Sequence, residues 1–468
     1  MKTMVKKSLL AIAVSGVIAS PAVNATNGYF SHGYSTKEKG LAGAGSAYSQ
    51  DAMAAATNPA GMAFIGERMD VGLQLFAPSP RSYTVTGSPV APGGSAAPGG
   101  DDNAPFGSFI NATPGTAYES DNDLFLIPHF AYNWQLKDDT TAGVSIYGNG
   151  GMNTEYPASS TPGGAGTFGA GTAGINLAQL FVNINFAKKL NDKHAVGGSL
   201  IVAGQRCHAQ GLDNFAPLSL DPNNLSNNRK SNSYGAGFKF GYQGEVAKGI
   251  RLGAAYQSKI TMTAFDEYKG LFAEGGDFDI PSTYNIGISV DVGTSGVIVA
   301  DVQQIQYSEV AAVSNPVSNL LPPTGSCSPG FPGNPTNPTP PGIGAGCLGG
   351  SNGGGFGWEN MTIIKIGYQF DMDDKNTFRV GYSHTDQPIP QSETFFNVLA
   401  PAVIEDHFTA GWTMKMGNNQ ELNLAAMYAP SNSVKGQNPV DAGAASGGTQ
   451  IEIEMSQWDV QAGWAWKY

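Results

Sequence analysis

Apolar and polar residues alternate along much of the chain with a period of two, the pattern of β-strands that have one apolar face. The clearest case is the segment 234–246, which reads YGAGFKFGYQGEV. One face of such a strand would be apolar, and the other would carry glycines with Lys239, Gln243 and Glu245. A strand of a soluble β-sandwich shows the same alternation, so the number of strands and their connections must decide the fold.

The pattern predicts fourteen strands, which are separated by six short turns and seven long connections in unbroken alternation. The predicted strands are 68–76, 126–135, 140–149, 178–190, 193–203, 233–247, 249–260, 282–292, 295–307, 359–371, 376–385, 405–417, 419–429 and 451–468. Alternating short and long connections are typical of a transmembrane β-barrel, whose periplasmic turns are short and whose outer loops are long. Most of the predicted strands are also long enough to cross the hydrocarbon core when tilted.

The predicted fold class is therefore all-β, a 14-stranded antiparallel transmembrane β-barrel over residues 68–468. Its lumen would be wider than one that side chains alone can fill, so part of the chain must occupy it. Residues 26–67 precede the first strand and are rich in small residues and poor in charge. A break at Pro59 and Gly61 would redirect this segment into the first strand. We predict that residues 26–67 form a small N-terminal helical hatch, a plug in the lumen.

Both ends of the chain carry targeting signals. Residues 1–25 combine three lysines, a short apolar run and small residues before Thr26, the pattern of a cleaved signal peptide. No later stretch offers 18 uninterrupted apolar residues, so a transmembrane helix is not predicted. The last strand carries Trp458, Trp464, Trp466 and Tyr468 on one face. This aromatic end predicts recognition by the barrel-assembly machinery of a Gram-negative outer membrane, with membrane lipid and lipopolysaccharide around the barrel.

Composition and motifs narrow the function classes. The chain has 25 Lys+Arg and 37 Asp+Glu, so without the three leader lysines its charge is 22 − 37 = −15, which argues against nucleic acid as a partner. No HExxH, GxSxG or phosphate-loop motif is present, and the GxGxxG match at 164–169 lies in a predicted loop. We predict no enzyme activity, cofactor or metal site. Cys327 and Cys347 could close one loop by a disulfide, which the sequence leaves open, and Cys207 would remain single.

The segment GLAGAGSAYSQDAMAAATNPAGMAFI, residues 40–65, resembles the N-terminal hatch of the FadL/TodX (OmpP1) family of outer-membrane transporters. The Asn-Pro-Ala motif of that family corresponds to Asn58, Pro59 and Ala60, and Gly61 follows it. Strand segments such as PHFAYNW and WENMTIIKIGYQF extend the resemblance over nearly the whole mature chain. The resemblance implies a monomeric barrel that transports hydrophobic small molecules passively.

It also implies a route, in which a substrate enters from outside, binds in the lumen, moves the hatch and leaves sideways at an inward kink in the third strand. Gly148, Gly150 and Gly151 lie where this kink would be, and glycines within strands often mark bulges. Long-chain fatty acids are the predicted substrates, and aromatic hydrocarbons or alkanes are the alternative within the family. A non-specific porin or a surface adhesin is the alternative from another class.

A fatty acid would require a cation or other hydrogen-bond donors for its carboxylate. Strand parity directs five candidate cations inward, namely Lys239, Arg251, Lys365, Arg379 and Lys415. Each of them could instead pair with an acidic residue across a polar lumen. A hydrocarbon would need no cation, so these residues bear on the substrate class without deciding it.

Overall fold

The computed structural model of the protein describes residues 27–87, 109–320, 325–328, 342–417, 419–441 and 448–468. The predicted leader, residues 1–25, lies outside them. The strands are β1 Arg68–Ala77, β2 Arg81–Thr86, β3 Ala117–Glu119, β4 Phe125–Lys137, β5 Thr140–Tyr156, β6 Ala173–Lys189, β7 His194–Gln210, β8 Ser231–Ala247, β9 Ile250–Gln257, β10 Thr261–Met262, β11 Thr283–Val292, β12 Gly296–Ile305, β13 Met361–Asp371, β14 Asn376–His384, β15 Asp406–Met416, β16 Gln420–Gln437 and β17 Gln450–Lys467. All of them belong to a single sheet.

This sheet closes on itself because β1 pairs with the last strand and with β4. Met69 lies opposite Trp466 of β17 and opposite Tyr132 of β4, both in antiparallel register. Within the described residues, β2, β3 and β10 are short additions, and the other strands form a closed 14-stranded antiparallel barrel. The predicted fold class is therefore confirmed.

The alternation seen in the sequence separates a lipid-facing surface from a lumen-facing one. In β8, Phe238 and Phe240 leave 44% and 60% of their surface exposed on the outside, whereas Lys239 is 2% exposed inside the barrel. An outward row of large apolar side chains is stable only where hydrocarbon covers it. Tyr132, Trp134 and the other aromatic residues near the short turns form the girdle expected at a membrane interface.

The helices among the described residues are all short. They are α1 Thr36–Lys39, α2 Ala54–Thr57, α3 Ala273–Gly276, α4 Ala311–Ser314 and α5 Thr394–Asn397, with 3-10 turns at Pro59–Phe64, Ala158–Ser160, Pro162–Gly164, Asp213–Leu218, Pro222–Asn224, Asp266–Tyr268, Tyr307–Glu309, Val317–Asn319 and Gln391–Glu393. In this part of the chain no helix has the length and apolar character needed to cross a membrane.

The long connections pack together into a cap at one end of the barrel. Its core is aromatic, and the ring of Phe215 lies 5.0 Å from that of Phe109 and 5.6 Å from that of Phe396. A disulfide joins Cys327 to Cys347 within this cap, which answers the question that the sequence left open. Cys207 is buried with a free thiol.

Candidate functional site

Residues 27–66 lie inside the barrel, and we call this segment the hatch. Its small residues approach the wall closely because the facing wall positions are glycines. A Cβ atom at any of these glycines would lie within 3 Å of a hatch atom: Gly143, Gly150, Gly197, Gly241, Gly253, Gly287, Gly367, Gly381, Gly411 and Gly463. The backbone of the hatch therefore packs directly on the backbone of the strands, which leaves little room for water between them.

The Asn-Pro-Ala motif fixes the hatch to β8. The Asn58 side-chain amide donates to the carbonyl oxygens of Ser46, at 2.7 Å, and Tyr242, at 2.8 Å. Its oxygen accepts from the Ala60 N–H at 3.1 Å and so caps the 3-10 turn that begins at Pro59. Asn58 is fully buried, so all three bonds are protected from water. The Asn58 side chain thus joins Ser46 and the turn at Ala60, two parts of the hatch, to β8 of the wall.

Buried ion pairs hold the hatch at the short-turn end of the barrel. Lys37 Nζ lies 2.7 Å from Glu421 Oε2, and Lys39 Nζ lies 3.2 Å from Asp459 Oδ2. Arg68, at the start of β1, also contacts Glu421, at 3.3 Å. Removing one partner of such a pair leaves an uncompensated buried charge, which costs about 3–5 kcal/mol. These pairs tie the N-terminal hatch to strands near the C-terminus.

The hatch also contains a buried acid that forms no ion pair with any residue that the structure describes. Glu38 lies in α1, and its carboxylate oxygen accepts a hydrogen bond from the Thr57 hydroxyl at 3.0 Å. Burial, and secondarily the negative charge of Asp51, raise the pKa of Glu38 from its ordinary value of 4.5 to about 8. The carboxyl group is therefore mostly protonated at neutral pH.

Three of the five cations predicted from the sequence contact the hatch. Lys239 donates to the Ala56 carbonyl oxygen. Lys365 Nζ lies 3.1 Å from the His32 carbonyl oxygen and 2.8 Å from Gln303 Oε1. Arg379 donates to the side-chain oxygen of Gln50 at 2.9 Å. These cations are satisfied mainly by neutral oxygens, an arrangement that the sequence did not reveal because the partners lie hundreds of residues away.

The other two predicted cations form no hydrogen bond with the hatch in the part of the chain that the structure describes. Arg251 forms an ion pair with Asp291 at 2.8 Å, and its guanidinium also lies 5.8 Å from the centre of the Tyr48 ring. Lys415 is exposed at the end of β15, beside the short turn to β16. The structure therefore does not gather the five cations into one site. Their assignment as carboxylate partners stays a prediction.

An apolar cavity of about 30 Å³ lies in the cap. We call it the cap cavity, and its lining contains no charged side chain. It is lined by Ile175, Ala209, Leu212, Phe215, Leu271, Phe272, Ala312, Leu348, Gly354, Gly355, Phe356, Phe396 and Leu399. Its volume corresponds to about one or two water molecules. A larger apolar molecule could therefore enter only if the lining side chains moved.

A second cavity, of about 10 Å³, lies next to it and shares Leu399 with it. We call it the Arg81 cavity, because Arg81 is the cation in its lining. Met152 and Asn153 of β5 line one side, and Trp358 lies at another. Leu399 therefore borders both cavities, and the second of them also borders β5.

Strand β5, the third strand of the barrel, separates from β4 about half-way along its length. Pairing between β4 and β5 ends at Phe130 and Ile146, whereas β5 continues to pair with β6 up to Tyr156. We call the interval between residues 125–129 of β4 and 147–154 of β5 the β4–β5 gap. No strand-to-strand pairing crosses it among the residues that the structure describes.

The predicted kink glycines lie in the part of β5 that pairs with β6 but not with β4. The register with β6 is irregular between Gly148 and Gly150. Gly151 donates its N–H to the Tyr29 carbonyl at 2.9 Å, and Ser31 donates to the Asn149 carbonyl at 2.9 Å, so the hatch replaces β4 as the partner of β5. A Cβ on Gly150 would lie 1.7 Å from the Tyr29 oxygen, which explains why glycine is needed at this close approach.

Side-chain amides that the sequence analysis did not identify hold β5 in this position. Asn149 donates to Gln179 at 2.9 Å, and Gln179 donates to Gln205 at 2.9 Å. Gln205 donates in turn to the Phe278 carbonyl in the cap at 2.7 Å. Besides the kink glycines, Pro128 within β4 is a sequence signal for the gap, because proline inside a strand indicates an edge or an interruption.

A comparison with family models shows which protein family the chain belongs to. A model described as outer membrane protein transport protein (OMPP1/FadL/TodX) matches residues 17–463. The chain belongs to this family. Its members are transport channels for hydrophobic compounds in the outer membrane and not enzymes, so the predicted family, location and transport class are confirmed. No curated protein is similar enough in sequence to match the chain.

Solved structures with the same fold support the assignment of the barrel. The Pseudomonas putida toluene transporter TodX has a TM-score of 0.60 at 15% identity, covering 93% of this chain and 99% of that one. The Ralstonia pickettii toluene transporter TbuX has a TM-score of 0.59 at 16% identity, covering 93% and 99%. A Pseudomonas aeruginosa FadL homologue has 0.60 at 17%, covering 96% and 99%. At these identities the likeness is one of fold.

Proposed function

We propose that the protein takes up long-chain fatty acids by passive diffusion, through the cap cavity and sideways out of the barrel at the β4–β5 gap. The observation that carries the proposal is the arrangement of the two cavities, which share Leu399 and the second of which also borders β5. A sideways exit keeps an acyl chain in apolar surroundings, and each methylene kept out of water is worth roughly 0.8 kcal/mol. Membership of a family that transports hydrophobic compounds supports the direction of this route.

The hatch would move during transport. In the closed arrangement, Tyr29 and Phe30 are buried between the kinked part of β5 and the aromatic residues Tyr307 and Trp358. Two backbone hydrogen bonds join this hatch segment to β5, and the Tyr307 hydroxyl joins it to the cap by accepting from the Tyr29 N–H and donating to the Asn27 carbonyl oxygen, so its release requires both sets of bonds to break. A bound substrate that displaced the segment would connect the cavities to the gap. The predictions of a monomer, of lipopolysaccharide contacts and of assembly through the aromatic C-terminal strand remain part of this proposal.

Uptake of monoaromatic hydrocarbons is the second candidate. It is favoured by the cap cavity, whose lining has no charged side chain that a carboxylate could contact. The toluene transporters with the same fold agree with this alternative. The two candidates differ in whether the substrate carries a charge, and they can be separated by direct measurement.

The deciding experiment is parallel uptake of labelled oleate and labelled toluene by cells that lack their own hydrophobic transporters and express this protein. We expect saturable oleate uptake. Toluene uptake without oleate uptake would replace the first candidate by the second. Uptake of neither, together with high ion conductance in planar bilayers, would contradict both and favour a porin.

The lateral route is tested by Gly150→Val. The valine side chain would fill the space between β5 and Tyr29, where even a Cβ has no room, so we expect oleate uptake to fall several-fold. Gly204→Val is the matched control, because a Cβ there has no neighbour closer than 3.8 Å. Surface abundance should match the wild type, which excludes misassembly, and bilayer conductance is recorded in parallel because a displaced Tyr29 segment that unplugged the barrel would raise it. Full uptake by Gly150→Val would contradict the route.

A further inference from the structure

Arg81 is buried beside an apolar cavity without a carboxylate partner, whereas the buried cations Lys239, Lys365 and Arg379 are bound by oxygens of the hatch. Its side chain is 4% exposed, and no acidic group of the described residues lies within ion-pair distance of it. Asp123 acts on the guanidinium electrostatically from beyond ion-pair distance, so the buried charge of Arg81 is only partly compensated, which is costly.

Neutral groups hold the guanidinium in one orientation. One of its terminal nitrogens donates to the Ser120 hydroxyl at 3.1 Å and to the Asn122 carbonyl oxygen at 2.5 Å. Arg81 Nε is buried and has no hydrogen-bond partner in the described chain. Because the guanidinium is planar and held at that terminal nitrogen, the N–H groups on Nε and on the other terminal nitrogen keep fixed directions in which single charge-assisted hydrogen bonds to a carboxylate can form.

A second unpaired polar group lies on the opposite wall of the Arg81 cavity. Asn153 of β5 is 3% exposed, and its side-chain oxygen lacks a partner within the described residues. The rest of the lining is mainly apolar and includes Met152, Leu399 and Met455. Unbranched methionine side chains rearrange easily around a ligand. A cation beside flexible apolar walls fits the head and first carbons of a monoanionic amphiphile, and the Asn153 amide can contact the carboxylate only through its nitrogen, since its oxygen is an acceptor.

We propose that Arg81 is the carboxylate receptor of this transporter and that the substrate is a fatty acid held with its carboxylate at Arg81 and its acyl chain in the cap cavity. This inference rests on the proposed function, and it selects the charged substrate class over the hydrocarbon. It also places the anion at the inner side of the β4–β5 gap, next to Asn153. During exit the carboxylate head group would dissociate from Arg81 as the acyl chain leaves through the β4–β5 gap.

The test compares oleate with oleyl alcohol, which has the same chain and no carboxylate. Initial uptake rates are measured over a range of concentrations for the wild type, Arg81→Gln and Arg81→Lys, at equal surface abundance. For Arg81→Gln we expect the half-saturating oleate concentration to rise about tenfold or more, since a charge-assisted hydrogen bond is lost. Oleyl alcohol should be taken up as by the wild type, and Arg81→Lys should retain part of the oleate preference.

Two further variants separate charge recognition from folding. Arg206→Gln removes an exposed arginine that contacts Asn232, and it should leave both substrates unaffected. Ser120→Ala removes a neutral partner of Arg81 and should change oleate uptake less than Arg81→Gln. Equal losses for oleate and oleyl alcohol in Arg81→Gln, or no loss for either, would overturn the proposal. Failure of the wild type to take up either compound would instead overturn the proposed function.

Discussion

At the scale of single residues, Asn58 joins the hatch to the barrel. We expect Asn58→Ala to loosen the hatch by about 2–3 kcal/mol, because three buried hydrogen bonds are lost and two buried carbonyl oxygens are left unsatisfied. The measurement is single-channel conductance in planar bilayers, where the variant should show frequent openings that the wild type lacks.

Asn58→Asp is the informative control for this prediction. Aspartate keeps the bond accepted from the Ala60 N–H but cannot donate to Ser46 or Tyr242. It should therefore leak at least as much as the alanine variant, because its carboxylate would face two carbonyl oxygens. If neither variant showed openings in the conductance record, the motif would not hold the hatch.

The sequence predicted residues of this site better than it predicted their partners. Strand parity placed Lys239, Lys365 and Arg379 inside the barrel, and all three are buried there. That they bind hatch oxygens could not be predicted, because those contacts depend on how the closed barrel surrounds the hatch. Arg81 was missed because residues 77–125 were interpreted as a long loop, although the alternation in RSYTVT, residues 81–86, was a signal for β2.

At the scale of the strand, Gly197 and Gly198 are neighbours in β7, but Gly197 faces the hatch and Gly198 faces the outside of the barrel. A Cβ on Gly197 would lie 2.5 Å from backbone atoms of Pro59 and Ala60, whereas one on Gly198 would meet only the Phe240 ring, at 3.4 Å. We expect Gly197→Ala to displace the Asn-Pro-Ala turn and raise bilayer conductance, and Gly198→Ala to behave as the wild type. Equal conductance of the two variants would contradict direct packing of the hatch on the wall.

The positions of the strands were predicted closely from the sequence, but the ends of several strands on the cap side were not. All fourteen predicted barrel strands are present, yet β5, β6, β7 and β16 extend well beyond their predicted limits toward the cap. Binary patterning weakens there, because residues such as those of 150–156 face the hatch and the cap and have no lipid-exposed side. A sideways exit at a kink in the third strand was expected at Gly148, Gly150 and Gly151 from the family resemblance, but the length over which β4 and β5 are unpaired could not be predicted from the sequence.

At the scale of the whole molecule, the plug is held by contacts between the two ends of the chain. Lys37 and Lys39 pair with Glu421 and Asp459, which lie nearly 400 positions away and become neighbours only when the barrel closes. The sequence could predict that a barrel of this size needs a plug, and which residues compose it. It could not predict the strength of the closure, which depends on the burial and charge of groups such as Glu38.

Glu38 should make closure of the plug depend on pH. In the docked hatch its pKa is raised to about 8 by burial and by Asp51, whereas in a hatch released into water it would return toward 4.5. The docked state therefore holds more protons between these values, and docking weakens as the pH rises through that window. The pKa of Asp51 is raised as well, mainly by burial and by Asp70, so it contributes with the same sign.

We therefore expect the wild type to leak more ions at pH 8.5 than at pH 5.5, and the difference is reduced by His32 and Lys37, whose pKa values are lowered by burial and which act with the opposite sign. Glu38→Gln keeps an oxygen that can accept from Thr57 but does not titrate, so its conductance should change less with pH, with Asp51 supplying the remainder. Glu359→Gln, at an exposed position, is the matched control and should titrate as the wild type. A leak that is greater at pH 5.5, or an unaltered pH profile in Glu38→Gln, would mean that the hatch is not held by a protonated Glu38 and that the ion pairs of Lys37 and Lys39 dominate its closure.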